Sequence, residues 1–315
     1  MTRAWKHQCT LPAYVAGFFM LVIFCPNKRV SNALPLGNRK QNCMHDRLID
    51  FSKQVQGLSH CTRLVVSGAF YEGVKDFAHR HNIIQDMQSN STVRENVVRI
   101  RMAERNGNFH PHDCTVMLTN VPLRVFPSTQ WKIMDVGPGI YNGDNQRAFN
   151  SFKASAPFLF PNASEIILGD TKCEFTSFIR AVEKSLMKNN SSSLILMKHP
   201  DFEHRSVRKE FEKTLEHVKY RNEPPSVIED IHRLRERYES LDDVDSPFRK
   251  VQTKYGLRER TRLMPDTACI YMKNDRWTRA FSRIWNCEIV QYSMRSQLCI
   301  NFALDHTPGL LYSMV

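Results

Sequence analysis

Ile166-Ile167-Leu168-Gly169-Asp170-Thr171-Lys172 is an apolar run that stops abruptly at a glycine, an acid and a base. A short run of this kind, bounded by turn residues, reads as a buried strand. It has companions along the chain. Leu64-Val65-Val66-Ser67-Gly68-Ala69-Phe70 runs into a glycine turn, Val97 to Met102 and Thr115 to Thr119 form further short runs, and Leu194 to Met197 closes at Lys198-His199-Pro200. Apolar residues at helical spacing lie between and after them, over Glu174 to Lys188, Ser206 to Tyr220 and Ser226 to Glu239. Strands alternating with helices predict an α/β sheet covered on both faces. No internal repeat or low-complexity tract interrupts the pattern.

The 315 residues, 42% of them hydrophobic, suffice to bury a proper core. A formal charge of +12 favours an acidic partner: nucleic acid, a phosphorylated small molecule, an anionic glycan or a lipid surface. The basic residues are spread in short groups such as Arg233, Arg235 and Arg237, as on solvated helix faces, and there is no Lys/Arg tail. Charge alone does not choose among these classes; no nucleic-acid partner is expected. Nine cysteines occur without a C-x-x-C pair, which argues against a zinc ribbon or a thioredoxin-like redox motif. Seven of them, Cys43, Cys61, Cys114, Cys173, Cys269, Cys287 and Cys299, follow the N-terminal segment and are available for disulfides in an oxidising lumen.

Residues 8–27 carry no charged side chain, and Leu11 to Cys25 (LPAYVAGFFMLVIFC) is almost continuously apolar. That length is just enough to span a bilayer. A cleaved signal peptide, cut near Ser31-Asn32-Ala33, competes with a retained anchor; Lys28 and Arg29, standing between the apolar run and that site, favour the anchor. The expected organisation is a cytoplasmic tail over residues 1–10, a transmembrane signal anchor over 11–27, a stem over 28–60 and a lumenal domain over 61–315. Flanking charge does not fix the orientation, because Arg3 and Lys6 face Lys28 and Arg29 across the span. Asn90-Ser91-Thr92, Asn162-Ala163-Ser164, Asn189-Asn190-Ser191 and Asn190-Ser191-Ser192 are glycosylation acceptors if the domain is lumenal.

Ligands of open α/β sheets bind beyond the carboxyl ends of the strands. At one such end Asp170 is placed to hold a divalent cation on a nucleotide diphosphate and Lys172 to neutralise phosphate. The competing reading makes Asp170 or Thr171 the N-cap of the helix that starts near Glu174. At a second end His199, followed by Arg205 and Glu210, reads as acid, base or phosphate contact, or as a structural histidine. Glu288 and Arg295 are two helical turns apart, which puts them on one face, either approaching a shared cleft or pairing across helices. His110 and His112, with Pro111 between them and no acidic or cysteine partner nearby, read as loop residues. There is no G-x-S-x-G elbow, P-loop or H-E-x-x-H, which excludes the common hydrolase, NTPase and zincin sites.

Taken in order, these blocks resemble the eukaryotic glycosyltransferase-like family first catalogued as a domain of unknown function and typified by plant mucilage and turgor-related proteins. The resembling residues are Ser67-Gly68-Ala69-Phe70-Tyr71, Val116 to Asn120 with Trp131, and Arg147, Lys153 and Phe160-Pro161-Asn162-Ala163-Ser164 leading into Asp170 and Lys172. Lys198-His199-Pro200 with Arg205 and Glu210 is similar to the family's "HP…R…E" block. Trp285, Glu288 and Arg295-Ser296-Gln297-Leu298 are similar to its "W…E…RDQL". The resemblance covers residues 60 to 306. It implies a GT-A-like nucleotide-sugar-binding sandwich with a mixed central sheet, behind one N-terminal transmembrane helix. The implied place is the Golgi membrane, as a single-pass type II protein.

The implied activity is transfer of a sugar from a nucleotide sugar to a glycan or glycoconjugate acceptor. The resemblance assigns donor binding to Asp170, Lys172, Arg147, Lys153, Arg205, Arg295 and Gln297, with Mn²⁺ or Mg²⁺ at Asp170, and acceptor activation to Glu288 or His199. The chain departs from the pattern at Ser296, where the family has aspartate, and at Glu72-Gly73, where it has "YD". Two alternatives stand beside the transferase: a ceramide-type lipid hydrolase, an activity proposed within the family, and a non-catalytic lumenal binding protein that keeps the fold.

Overall fold

The computed structural model describes the chain from Val55 onward, except residues 59, 71–83, 88–97, 102–112, 121–122, 126–130, 138–140, 142–143, 171–172, 200–206, 242–245, 249, 254–255 and 260–263. The expected tail, anchor and most of the stem lie outside these residues, as do Lys172, Arg205, Asn90, His110 and His112. Among the described residues no helix is long and apolar enough to cross a membrane.

The strands are β1 (Arg63–Ala69), β2 (Ile84–Met87), β3 (Val98–Arg101), β4 (Asp113–Thr119), β5 (Leu123–Val125), β6 (Trp131–Asp135), β7 (Glu165–Gly169), β8 (Leu194–Lys198), β9 (Lys250–Thr253), β10 (Gly256–Glu259), β11 (Pro265–Lys273) and β12 (Tyr312–Met314). The helices are α1 (Asn145–Leu159), α2 (Phe175–Lys188), α3 (Val207–Tyr220), α4 (Pro225–Glu239), α5 (Arg276–Gln291) and α6 (Ser296–Asp305). Seven strands form one mixed sheet in the order β12-β8-β11-β7-β1-β4-β6. All neighbouring pairs are parallel except those of β11, which runs against both β7 and β8. The remaining strands form a β2-β3-β5 sheet and a β9-β10 hairpin.

The alternation of strand side chains accounts for the two-faced core. Leu64, Val66, Ile166, Leu168, Leu194, Leu196 and Met272 join the larger cluster, with Phe152 of α1, Phe211 of α3, Tyr238 of α4 and Trp285 of α5. Val65, Ile167, Ile195 and Tyr271 point the other way and meet Phe175, Phe178 and Val182 of α2. The expected α/β sheet with helices on both faces is thus present. Each buried Leu, Ile or Phe contributes about 1.5–3 kcal/mol of transfer free energy, so the central strands are where substitutions cost most.

Two expectations from the sequence change in detail. Val55 and Leu58, on a single 3-10 turn, are buried in the larger cluster, so the folded body has begun by Val55 and not at residue 61. The N-cap of α2 is Glu174, and it makes no side-chain cap bond; Asp170 stands four positions ahead of that N-cap and is not the capping residue. Two disulfides join the described cysteines, Cys61–Cys114 between the starts of β1 and β4, and Cys173–Cys269 between the turn after β7 and β11. Cys287 is disulfide-bonded as well, whereas Cys299 is a buried free thiol.

Candidate functional site

From β1 the chain builds outward through β4 to β6, then returns to lay β7 on the other side of β1. That reversal of direction opens a crevice at the carboxyl ends of β1 and β7. A cleft of about 1680 Å³ lies at this edge, lined by residues from the ends of β1, β7 and β8, from the start of β11, and from α1, α3 and the turn before α6. The antiparallel sense of β11 brings its first residues, not its last, to the same rim.

Glycines let helices approach both strand ends at the switch point. A Cβ on Gly68 would stand 2.3 Å from Cε2 of Phe149, and one on Gly169 would stand 2.3 Å from Cζ of Phe175 and 2.7 Å from Cβ of Cys173. Phe149 and Phe70 pack at a centroid distance of 5.7 Å, and together with Tyr141 they give the β1 side of the cleft an aromatic wall.

The polar floor is built around β11. Asp170 donates its N–H to Ala268 O at 2.8 Å, and its carbonyl accepts the N–H of Cys173 at 3.0 Å within the turn, so the turn after β7 is tied to β11 by one backbone bond and by the Cys173–Cys269 disulfide. Asp266 holds the N–H of Ala268 with Oδ1 at 2.8 Å and lines the same rim. Lys153, 4% exposed, extends from α1 across the 5.2 Å face of Phe149 and donates to Thr267 O at 2.7 Å. Thr267 Oγ1 lies 3.2 Å from Ser296 Oγ, which links the floor to the first turn of α6. His199 follows β8, donates its N–H to Met264 O at 3.4 Å, and lines the cleft.

The start of α6 forms a further wall. Its N-cap position, Arg295, makes no side-chain cap bond to the helix; the guanidinium instead pairs through Nη2 with Glu223. Glu223 is presented by the turn that ends α3, where Asn222 takes the left-handed conformation at φ 51°. Arg295 Nε and Gln297 Nε2 are buried and have no hydrogen-bond partner among the described residues. Both residues line the cleft.

The structure therefore brings Asp170, His199, Lys153, Arg147, Arg295 and Gln297 to one cleft. Arg147 serves mainly as a tie between helices, through Asp144 at 3.0 Å, Asp230, and Val290 O at 2.8 Å. Glu288 is not brought there. The helix carrying it ends at Gln291, so the expected common face with Arg295 does not exist. The Glu288 carboxylate is 5% exposed and turned to α4, where Arg237 Nη2 approaches Oε1 at 2.6 Å and Tyr238 donates to Oε2 at 3.4 Å. Burial pushes the Glu288 carboxyl above its ordinary range, against the pull of Arg237 and Tyr238. Burial likewise pushes the Tyr238 phenol up.

Asp266 reaches the site from the first residues of an antiparallel strand, not from the carboxyl end of a parallel one. The polar residue opening the apolar run Ala268 to Met272 was the available signal. Among the described residues, the metal-capable side chains that converge are His60, Cys61 and Cys114, and the two thiols of that group are joined to each other. The chain matches no protein-family model and no curated protein.

Proposed function

We propose that this chain is a glycosyltransferase-like protein on a GT-A-like fold, transferring a sugar from a nucleotide sugar to a glycan or glycoconjugate acceptor. The observation that carries the reading is the convergence of cationic and orphaned donor groups at the switch-point crevice. The Lys153 amine, the Arg295 Nε and the Gln297 Nε2 all belong to residues on one cleft at the start of α6, where helix N–H groups also favour an anion. A diphosphate is an anion suited to such a wall. Phe70, Phe149 and Tyr141 offer an aromatic surface of the kind a nucleobase packs on. A single reversed strand in an otherwise parallel sheet agrees with the mixed central sheet implied by the family resemblance.

In this reading the acceptor hydroxyl oxygen attacks the anomeric carbon as its bond to the diphosphate breaks. The nucleoside diphosphate leaves with the electron pair, and His199, at the rim, takes the hydroxyl proton. Lys153 and the start of α6 oppose the charge that grows on the leaving group. Asp170 and Asp266 are the hard oxygen groups that suit Mn²⁺ or Mg²⁺, which would further offset that charge. Lys172 and Arg205 complete the donor set taken from the resemblance. Glu288 drops out of the chemistry and becomes a positioning residue for the helices behind the cleft.

The proposed setting is the Golgi membrane, type II, anchored through residues 11–27. Disulfides at Cys61–Cys114 and Cys173–Cys269 support an oxidising compartment. A second reading, a lumenal binding protein without turnover, rests on Ser296, which leaves a hydroxyl on the cleft floor where the family has a carboxylate. The ceramide-type hydrolase draws no support from a cleft that carries Asp170, Asp266, Lys153 and Arg295 among its lining residues. Calorimetric titration of the detergent-solubilised full chain against a panel of nucleotide sugars, with and without Mn²⁺, tests the proposal. Binding of at least one donor is expected; silence across the panel removes the transferase reading.

A further inference from the structure

We propose that Asn162 and Asn189 carry N-linked glycans on the face of the domain turned away from the cleft, an inference that rests on the lumenal placement read above. The sequence offers three overlapping or separate sequons among the described residues, and the fold distinguishes them. Asn162 lies in the turn between α1 and β7, and Asn189 and Asn190 lie between α2 and β8. Both segments therefore sit at the amino ends of parallel strands, whereas the cleft occupies the carboxyl ends. β7 and β8 each run five residues between the two edges, about 17 Å at 3.3 Å per residue. A bulky, solvated oligosaccharide at either turn leaves the cleft open.

Room and hydrogen bonding select the acceptors. Asn162 is exposed beside exposed Pro161, and its carboxamide makes no hydrogen bond among the described residues. Its sequon partner Ser164 is exposed too, with Oγ donating to Thr62 O at 2.8 Å. Asn189 caps the end of α2 and is exposed; its Oδ1 accepts from the N–H of Ser191 at 3.1 Å and from Ser191 Oγ, an Asx turn in which Nδ2 has no partner among the described residues. Asn190 differs. Its Oδ1 and its carbonyl both accept from Lys273 Nζ, at 3.3 and 2.5 Å, which fastens it to the end of β11. Its sequon partner Ser192 is only 1% exposed. Lys273 engages the oxygens of Asn190 and not its Nδ2, so the burial of Ser192 is what sets Asn190 apart from Asn189. Two glycans on adjacent residues would collide, so one of the pair is used.

The modification needs a lipid-linked oligosaccharide as co-reactant. Asn Nδ2 forms a bond to the anomeric carbon as the bond from that carbon to the lipid diphosphate breaks. The diphosphate leaves with the electron pair, and Nδ2 gives up one proton.

The test expresses the full chain in a eukaryotic secretory cell in an Asn90→Gln background, with a reporter sequon appended after Val315, and counts mobility steps removed by an N-glycan-cleaving glycosidase. Three steps are expected: one from the reporter and two from the domain. Asn162→Gln and Asn189→Gln each remove one step, and Asn190→Gln removes none. A glycosylated reporter with no step from the domain overturns the inference and leaves the lumenal reading standing. An unmodified reporter overturns both. Loss of a step in Asn190→Gln, or its retention in Asn189→Gln, overturns the choice between the adjacent residues. Donor binding is read separately on glycosidase-treated protein, so a failure of the transferase reading remains distinguishable.

Discussion

Arg237 and Glu288 form an ion pair of 2.6 Å that clamps α4 to α5 behind the cleft wall, with the carboxylate 5% exposed and the guanidinium lying 4.3 Å from the Tyr292 ring and 4.9 Å from that of Phe302. Both partners are displaced upward from their ordinary pKa values: Arg237 by Glu288 against the opposing effect of its own burial, and Glu288 by burial. A carboxyl raised in the folded state contributes stability that is complete below its unfolded value of about 4.3 and is lost as pH rises through the folded one. Glu288→Gln lacks this titration. Urea unfolding of both proteins between about pH 4 and about pH 8 should show wild type losing ground to the variant as pH rises. A pH-independent difference counts against it.

The disulfide Cys173–Cys269 flanks the turn that presents Asp170, whereas Cys61–Cys114 joins strand starts at the opposite edge. Replacing either pair by serines should cost about 2–4 kcal/mol in stability. Loss of the Cys173–Cys269 pair alone is expected to weaken nucleotide-sugar binding, on the order of tenfold, because it frees the Asp170 turn. Equal binding losses from the two pairs would reduce the effect to general destabilisation.

Gly169→Ala drives a methyl group to 2.3 Å from the Phe175 ring and 2.7 Å from Cβ of Cys173. Overpacking of this kind costs about 1–3 kcal/mol. Thermal unfolding is expected to show the loss in Gly169→Ala and partial recovery when Phe175→Leu is added.

Ser296→Asp replaces a hydroxyl that lies 3.2 Å from that of Thr267 by a carboxylate, beside the Thr267 carbonyl that already holds Lys153. Under the transferase reading wild type turns over, and the variant changes the rate without creating activity. Product formation by the variant alone, in a donor and acceptor screen, selects the binding-protein reading instead.

Much of the sheet was legible because its strands are short apolar runs with clean endings. The apolar runs of β7 and β8, and the helical patterns of α2, α3 and α4, end within a residue of the elements themselves. Other elements take their form from tertiary context. α1 has buried Asn150, Ser151, Lys153 and Ser155 along with its apolar residues, so no amphipathic stripe marks it. Lys153 enters the candidate set only through the family resemblance, since its packing across Phe149 leaves no local sequence signal, and Glu288 reads as an acceptor-activating carboxylate because its partner Arg237 is 51 positions away. Asp170 and His199 were legible because a polar residue closing a buried strand has few places to go but the sheet's edge. Disulfide pairing was illegible because Cys173 and Cys269 are 96 residues apart and meet only through the register that sets Cys269 opposite Gly169.

β11 enters the sheet between two strands that precede it in the chain, β7 and β8, and it does so only after α3, α4 and the β9-β10 hairpin have been made. During biosynthesis the nascent sheet therefore carries an open slot one strand wide, with unpaired amide edges on both sides. Whatever fills that slot first decides whether the molecule matures or is captured as a misassembled species. A peptide spanning Pro265 to Lys273, added during refolding, should compete for the slot and lower the yield of native protein; an unchanged yield would mean that the gap closes before any competitor can enter.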